Sequence, residues 1–332
     1  MIPIVAAQVH TVVEGLRTLE WLVTAPLGLY ADIKMLRESL RLPEAADLSR
    51  EETRERRTTY ATLSDAPLEF ALATIQAVGA SMRTLAAVKV EPPPIEPEWL
   101  ARARRVLDRA EQRVASDVRA SLGSGIRGLY VIVDPEATNG RPVLEIAEAT
   151  LSGGASVIQL RDKHRDTGVV LTVARRIKAM CEEHGAIFMM NDDASVALCS
   201  DAHGLHVGQE DLPVSDARQI LASGQLVGRS NGTVDESMAS EAEGADYVAI
   251  SAIYATSTMG KSGRSAVGVR ALSEAKERLT RPVVAIGGIN AANIGEVIRS
   301  GADCICVVSA VTFADDPERE TRRLVQQIEA AG

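Results

Sequence analysis

Residues 1 to about 122 carry apolar side chains at helical spacing. Val9, Val12, Leu16, Leu19 and Leu22 step by three and four, and Ile33, Leu36 and Leu40 do the same. Leu72, Ile75, Met82 and Leu85 mark a further helix, and Leu100, Leu107, Val114 and Val118 a last one, closed behind by Gly123-Ser124-Gly125. The pattern predicts an all-helical N-terminal domain over 1–122. Before its last helix lies Glu91-Pro92-Pro93-Pro94-Ile95-Glu96-Pro97, an extended, stiff connection, because proline fixes φ and removes a donor. A weak internal repeat relates Leu16-Arg17-Thr18-Leu19 to Met82-Arg83-Thr84-Leu85. It is either a coincidence between two amphipathic helices or the trace of a pseudo-symmetric bundle.

From Gly128 the period changes. Short runs rich in β-branched and other apolar residues alternate with helical stretches, and eight runs read as strands: 129–133, 157–160, 187–190, 205–207, 226–228, 247–250, 283–286 and 304–308. Amphipathic stretches such as 143–151, 169–181, 236–243 and 293–299 separate them. Continuous apolar strands with helices between them imply a parallel sheet covered on both faces. Eight such units imply a closed (β/α)8 TIM barrel over 126–332, giving an α/β protein preceded by an all-α helical domain. A doubly wound open sheet would need a reversal of strand order that the pattern does not show.

Composition narrows the function. A length of 332 residues suits two domains, and 46% hydrophobic with 24% charged residues is ordinary globular material. A net charge of −9 and only 3% aromatics argue against nucleic acid as a partner. No apolar run is long enough to cross a bilayer, and Glu14, Arg17 and Glu20 interrupt the first apolar stretch, unlike a signal peptide. Cys181, Cys199, Cys304 and Cys306 lack CxxC spacing and read as reduced, mostly buried thiols of a cytoplasmic protein. Small molecules are the expected partners; a homo-oligomer is left open.

Chemistry in such barrels lies at the C-terminal ends of the strands. Strand 2 runs into Gln159-Leu160-Arg161-Asp162-Lys163, whose alternation puts Gln159, Arg161 and Lys163 on one face, a clamp for an anion with several oxygens. Lysine is scarce, six against thirty arginines, so a lysine here is informative. Strand 1 ends in Asp134, strand 3 in Asn191-Asp192-Asp193, strand 4 in His206 to Asp211 and strand 5 in Ser230. Asp192 and Asp211 from neighbouring strands are expected to hold Mg²⁺ beside a phosphate group, Glu210 being an alternative to Asp211, unless the two aspartates are merely helix N-caps. His206 is either a hydrogen-bonded packing residue or a proton carrier. Gly287-Gly288 after strand 7 and Ser309 after strand 8 occupy the common phosphate site of the fold, where backbone N–H groups can bind oxygens. Residues 257–263, with Lys261 and Arg264 nearby, read as a lid carrying cations.

In sequence these motifs resemble thiamine phosphate synthases: Gln159-Leu-Arg161-Asp-Lys163, Asn191-Asp192, His206-Val-Gly208-Gln209-Glu-Asp211, Thr256-Ser-Thr258, Val283 to Ile289 and Val307-Val308-Ser309-Ala310, in that order over 128–330. The resemblance implies condensation of hydroxymethylpyrimidine diphosphate with a thiazole phosphate, by loss of diphosphate, formation of a pyrimidine methylene cation and attack by the thiazole nitrogen. It implies that Arg161, Lys163, Asn191 and a lid lysine hold the pyrimidine diphosphate, with Gln159 nearby, and that Asp192 and Asp211 bind Mg²⁺. Thr256, Thr258, Gly288, Val308 and Ser309 would hold the thiazole phosphate, with Ser230 near the reacting centre. The family pattern has proline before the first threonine and lysine directly after the second. Here Ala255 stands for the proline and Met259-Gly260 precede Lys261, so Lys261 or Arg264 is expected to fill the lid role.

The N-terminal part is similar to a helical domain fused to some of these synthases and linked to phosphorylation of hydroxymethylpyrimidine phosphate. Glu14-Gly-Leu-Arg17-Thr-Leu-Glu20, Leu36-Arg37 and Met82-Arg83-Thr-Leu85 carry that similarity. Gln8 and His10 stand where that pattern has asparagines and Ala80 where it has glutamate, and no phosphate-binding glycine loop is present, so a structural role competes with a kinase role. Two other functions compete for the barrel. One is a thiazole tautomerase-type isomerase using His206, and the other a non-catalytic barrel that binds a phosphorylated metabolite.

Overall fold

The computed structural model describes residues 3–22, 29–40, 42, 45, 52, 67–256 and 266–332. The chain divides into two compact units, Met1–Val118 and Arg119–Gly332. The division falls inside the long helix Pro97–Gly123, somewhat earlier than the glycines that close that helix.

The described part of the first unit is helical, with Pro3–Leu22, Tyr30–Glu38, Pro67–Ala87 and Pro97–Gly123 as its elements. The residues at helical spacing form its core: Val12, Leu16, Leu19, Ile33, Ile75, Met82, Leu85 and Val114 are all buried. Helices Pro3–Leu22 and Pro67–Ala87 approach closely at Gly15, where a Cβ would stand 2.2 Å from Val78 Cγ2. Trp99 is buried, and its indole N–H donates to the Leu36 carbonyl at 3.2 Å and to Ser39 Oγ at 3.0 Å. The two copies of the repeat diverge chemically. Arg17 pairs with Glu14 at 2.5 Å, whereas the residue three before Arg83 is Ala80, which offers no carboxylate. Arg37 is buried and is held by the Glu20 carboxylate.

The second unit is a closed barrel in the order β1 to β8, every neighbour parallel. The strands are β1 Gly128–Val133, β2 Val157–Leu160, β3 Ile187–Asn191, β4 Gly204–Val207, β5 Leu226–Asn231, β6 Tyr247–Ser251, β7 Val283–Ile286 and β8 Cys304–Val307. Alternation along each strand sorts the side chains into two cores. Leu129, Val131, Ile158, Phe188, Leu205, Val227, Val248 and Ile305 pack outward under the helices. Tyr130, Ile132, Val157, Met189, Leu226, Tyr247, Val284, Cys304 and Cys306 fill the interior. The barrel is therefore a packed core whose open end is the C-terminal face.

At the opposite end, polar side chains accept from backbone N–H groups at the start of neighbouring strands. Asp246 accepts from Val227 N and Asp303 from Val283 N, each at 2.8 Å, and His203 Nδ1 accepts from Phe188 N at 2.8 Å. Burial, and secondarily the nearby Lys178 cation, lowers the His203 pKa from 6.5 to about 4. All four cysteines are free thiols; Cys181, Cys304 and Cys306 are buried, in line with a mostly buried set, and Cys199 is exposed at the end of helix Ala194–Cys199. Among the described residues no helix is long and apolar enough to cross a membrane.

Candidate active site

A cavity of about 200 Å³ opens at the C-terminal end of the barrel, its polar lining drawn mostly from β2 to β5 and the loops after them and its apolar lining including Ile132, Ala249, Val284 and Ile286. Gln159, Arg161, Lys163, Asn191, Asp192, His206, Asp211 and Ser230 line it together. Strand alternation explains why. Gln159, Asn191, His206 and Ser230 sit on inward positions of four consecutive strands, and Arg161 and Lys163 continue the β2 period into the loop.

The charged groups are ordered by one another. Arg161 is gripped by the carboxylate of Asp134, whose side chain is only 3% exposed and which also accepts from Glu136 N at 2.9 Å. Lys163 Nζ lies 2.7 Å from Asp192 Oδ2. Gln159 is buried and donates through Nε2 to Asn191 Oδ1 at 2.7 Å. Asp192 adopts a left-handed conformation, φ 59°, tolerable for aspartate, with its backbone N–H on the His206 carbonyl at 2.9 Å. Asp211 accepts from Gly208 N at 2.9 Å. Burial, followed by the hydrogen bond and negative charge of Asp192, raises the Asp211 pKa. Neither aspartate caps a helix. The helix Ala194–Cys199 is capped by Asp193 and Val214–Ile220 begins after Pro213, so both carboxylates remain turned to the cavity. Glu210 lines the same cavity but lacks these contacts.

A second, smaller cavity of about 70 Å³ lies beside the first. Thr256, Gly287, Gly288, Ile289, Val308 and Ser309 line it, and Ile286 and Cys306 border both cavities. Gly287 and Gly288 have φ of +106° and +66°, and a Cβ on Gly288 would stand 2.8 Å from the Ala255 carbonyl. Asn293 Nδ2 donates to the Gly288 carbonyl at 3.0 Å and fixes the turn. Thr258, Lys261 and Arg264 lie outside the described residues.

Three further residues, none of them singled out by a motif, shape the site. Tyr130 and Tyr247 enter the barrel interior from β1 and β6, and their hydroxyls lie 3.1 Å apart. Tyr130 donates to Gln159 Oε1 at 2.6 Å, and Tyr247 O lies 2.9 Å from His206 Nδ1. Gly228 is the third, since a Cβ there would fall 2.0 Å from the Tyr247 ring. The available signal was a tyrosine at an inward position of two otherwise aliphatic strands in a chain with 3% aromatics.

The model of the thiamine monophosphate synthase family matches residues 129–311. The thiamine-phosphate synthase of Methanospirillum hungatei is 41% identical over 196 residues, 59% of this chain and 95% of that protein. That of Thioalkalivibrio sulfidiphilus is 42% identical over 208 residues, 62% of this chain and 98% of the relative. For the Thermosynechococcus vestitus enzyme, identity is 44% over 200 residues, 60% of this chain, and the match spans about half of that longer relative, 55%. Among solved structures, thiamine phosphate pyrophosphorylase from Pyrococcus furiosus superposes with a TM-score of 0.58 at 33% identity, over 63% of this chain and 98% of that one. With the matched span covering more than half of the chain and the paired cavities formed by that same span, the chain belongs to the thiamine monophosphate synthase family.

Proposed function

We propose that the barrel joins 4-amino-2-methyl-5-hydroxymethylpyrimidine diphosphate to a thiazole phosphate, releasing thiamine phosphate and diphosphate. The observation that carries this reading is the adjacency of two unlike anion sites. One is a cation-and-carboxylate chamber and the other a chamber walled by glycine backbone, with Ile286 and Cys306 between them. The first suits a diphosphate and the second a monophosphate.

Arg161, Lys163 and Asn191 would grip the diphosphate, joined by Lys261. Arg161 is presented as a fork by Asp134, and Asn191 keeps its amide NH₂ available because Gln159 occupies its oxygen. Thr256, Thr258, Gly288, Val308 and Ser309 would hold the thiazole phosphate. The pair Asp192 and Asp211 fits Mg²⁺, because two carboxylates pressed together and partly desolvated are stabilised by a hard dication that also takes phosphate oxygens. Magnesium bound there would supply charge neutralisation to the departing diphosphate. The serine–histidine contact in the cavity lining, Ser230 Oγ to His206 Nε2 at 2.9 Å, has the Tyr247 phenol behind the imidazole instead of the carboxylate of a hydrolase triad, and the cysteine that borders the cavity, Cys306, is a buried barrel-interior residue. The chemistry left to these residues is electrostatic. The C–O bond to diphosphate breaks first, the positive clamp stabilises the charge that gathers on the leaving oxygens, and the thiazole nitrogen then forms the C–N bond to the methylene carbon.

The test is turnover of the two phosphorylated substrates with Mg²⁺. Thiamine phosphate and diphosphate should appear in equal amounts, and Asp192→Asn should remove the metal dependence and most of the rate. Folded protein that forms no product would reject the synthase in favour of a binding barrel. Full activity toward a thiazole tautomer after Asp211→Asn would favour the isomerase.

A further inference from the structure

The interior of the barrel holds one unbroken line of hydrogen bonds, from Asn191 at the diphosphate clamp to Ser230. Its direction can be worked out. Gln159 Nε2 donates to Asn191 Oδ1, so Gln159 Oε1 faces Tyr130 and accepts that phenol's hydrogen at 2.6 Å. A phenol has one hydrogen. With Tyr130's committed, the 3.1 Å contact between the tyrosines requires Tyr247 to donate. Tyr247 then has no hydrogen left for His206 Nδ1, 2.9 Å away, so Nδ1–H donates to Tyr247. A neutral imidazole protonated at Nδ1 has a bare Nε2. That nitrogen, 2.9 Å from Ser230 Oγ, accepts the serine hydrogen.

We propose that Tyr130, Tyr247 and His206 are positioning residues whose single-direction hydrogen-bond line holds Asn191 as a donor at one end and Ser230 as an acceptor at the other. The donor end suits the diphosphate oxygens. The acceptor end presents the Ser230 oxygen lone pairs where positive charge grows on the pyrimidine. That use of the two ends rests on the synthase reading; the direction of the line does not. Burial holds both phenols far above their ordinary pKa, which keeps each hydrogen in place.

Gly228 makes the line possible. It is the β5 residue in register with both His206 on β4 and Tyr247 on β6. Any Cβ would overlap the Tyr247 ring at 2.0 Å, so only glycine lets that ring lie across β5 to reach the imidazole, with ring centres 5.7 Å apart.

Nitrogen-15 NMR of histidine-labelled protein, with His206 identified by its loss in His206→Gln, reads the direction. The expected spectrum shows His206 protonated at Nδ1 and bare at Nε2. In Tyr247→Phe, which keeps the ring, the proton moves to Nε2 in a substantial fraction of molecules. A wild-type His206 protonated at Nε2, alone or at both nitrogens, would overturn the proposal. Kinetics supply a second arm. Tyr247→Phe should lower kcat about tenfold or more, with KM for the thiazole phosphate within about twofold. In a Ser230→Ala background the same change should have little further effect, since its route to the substrate is gone. An undiminished loss in that background would show that Tyr247 acts on packing and would overturn the positioning role. If wild-type protein turned nothing over, the synthase reading would fall while the spectrum still decided the direction of the line. Gly228→Ala should reproduce the Tyr247→Phe spectrum if it folds; if it retained the wild-type spectrum, the role given to Gly228 would be wrong.

Discussion

Replacing Arg161 with alanine separates two effects that the structure ties together. The guanidinium faces the cavity on one side and grips Asp134 on the other, with side chains 16% and 3% exposed. Removing it strands a buried carboxylate. Breaking such a pair costs about 3 to 5 kcal/mol, and the lower figure applies because Asp134 keeps its bond from Glu136 N. The rate should fall about 10² to 10³-fold, or about 2.7 to 4 kcal/mol of transition-state stabilisation, the size of losing one preorganised donor aimed at developing charge. Urea denaturation reads the first effect and a diphosphate-release assay under saturating substrates the second. Arg161→Ala/Asp134→Asn then distinguishes them. Neutralising the stranded acid should restore about 2 kcal/mol of stability and none of the rate. A single variant within about threefold of wild-type kcat, or a double variant that regains its rate, would refute the assignment of Arg161 to the leaving group.

Asp211→Asn should stabilise the protein in metal-free buffer, by relieving the carboxylate pair, while raising the Mg²⁺ concentration for half-maximal rate about tenfold or more; paired melts and magnesium titrations check it. Gly288→Ala forces a side chain into a left-handed turn and against the Ala255 carbonyl, so KM for thiazole phosphate should rise about tenfold with the pyrimidine KM nearly unchanged. His203 gives a pH dependence. Its folded pKa of about 4 lies below the ordinary 6.5, so the unfolded chain binds the extra proton. Its contribution is therefore complete above about pH 6.5 and is lost as pH falls toward 4, by about 2 kcal/mol after discounting partial exposure. Denaturation at about pH 7 and pH 4.5 should show that much less acid sensitivity in His203→Asn than in wild type.

The barrel was legible because its strands alternate between two apolar cores, and the clamp because Gln159, Arg161 and Lys163 keep that alternation past the strand end. The apolar run of β5 ends at Gly228, which predicts a strand of 226–228, yet the polar Arg229, Ser230 and Asn231 continue the ladder opposite β6. The interior line of hydrogen bonds was not legible. Tyr130 and Tyr247 are 117 residues apart and meet only when the barrel closes. Gly228 reads as an ordinary strand glycine until the ring it makes room for is placed. Asp134 was visible as a polar strand end, but its grip on Arg161 depends on β1 and β2 being neighbours.

The central claim is that the C–O bond breaks under the charge clamp before the thiazole nitrogen forms its bond. Positional isotope exchange measures this directly. Pyrimidine diphosphate carrying oxygen-18 in the bridge to carbon is incubated with the protein, Mg²⁺ and a thiazole phosphate analogue lacking the ring nitrogen. Bond breaking followed by return should move the label into non-bridging positions, and Arg161→Ala should slow that movement in step with its loss of turnover. A label that stays in the bridge, in protein that makes thiamine phosphate at full rate with the true substrate, would contradict it.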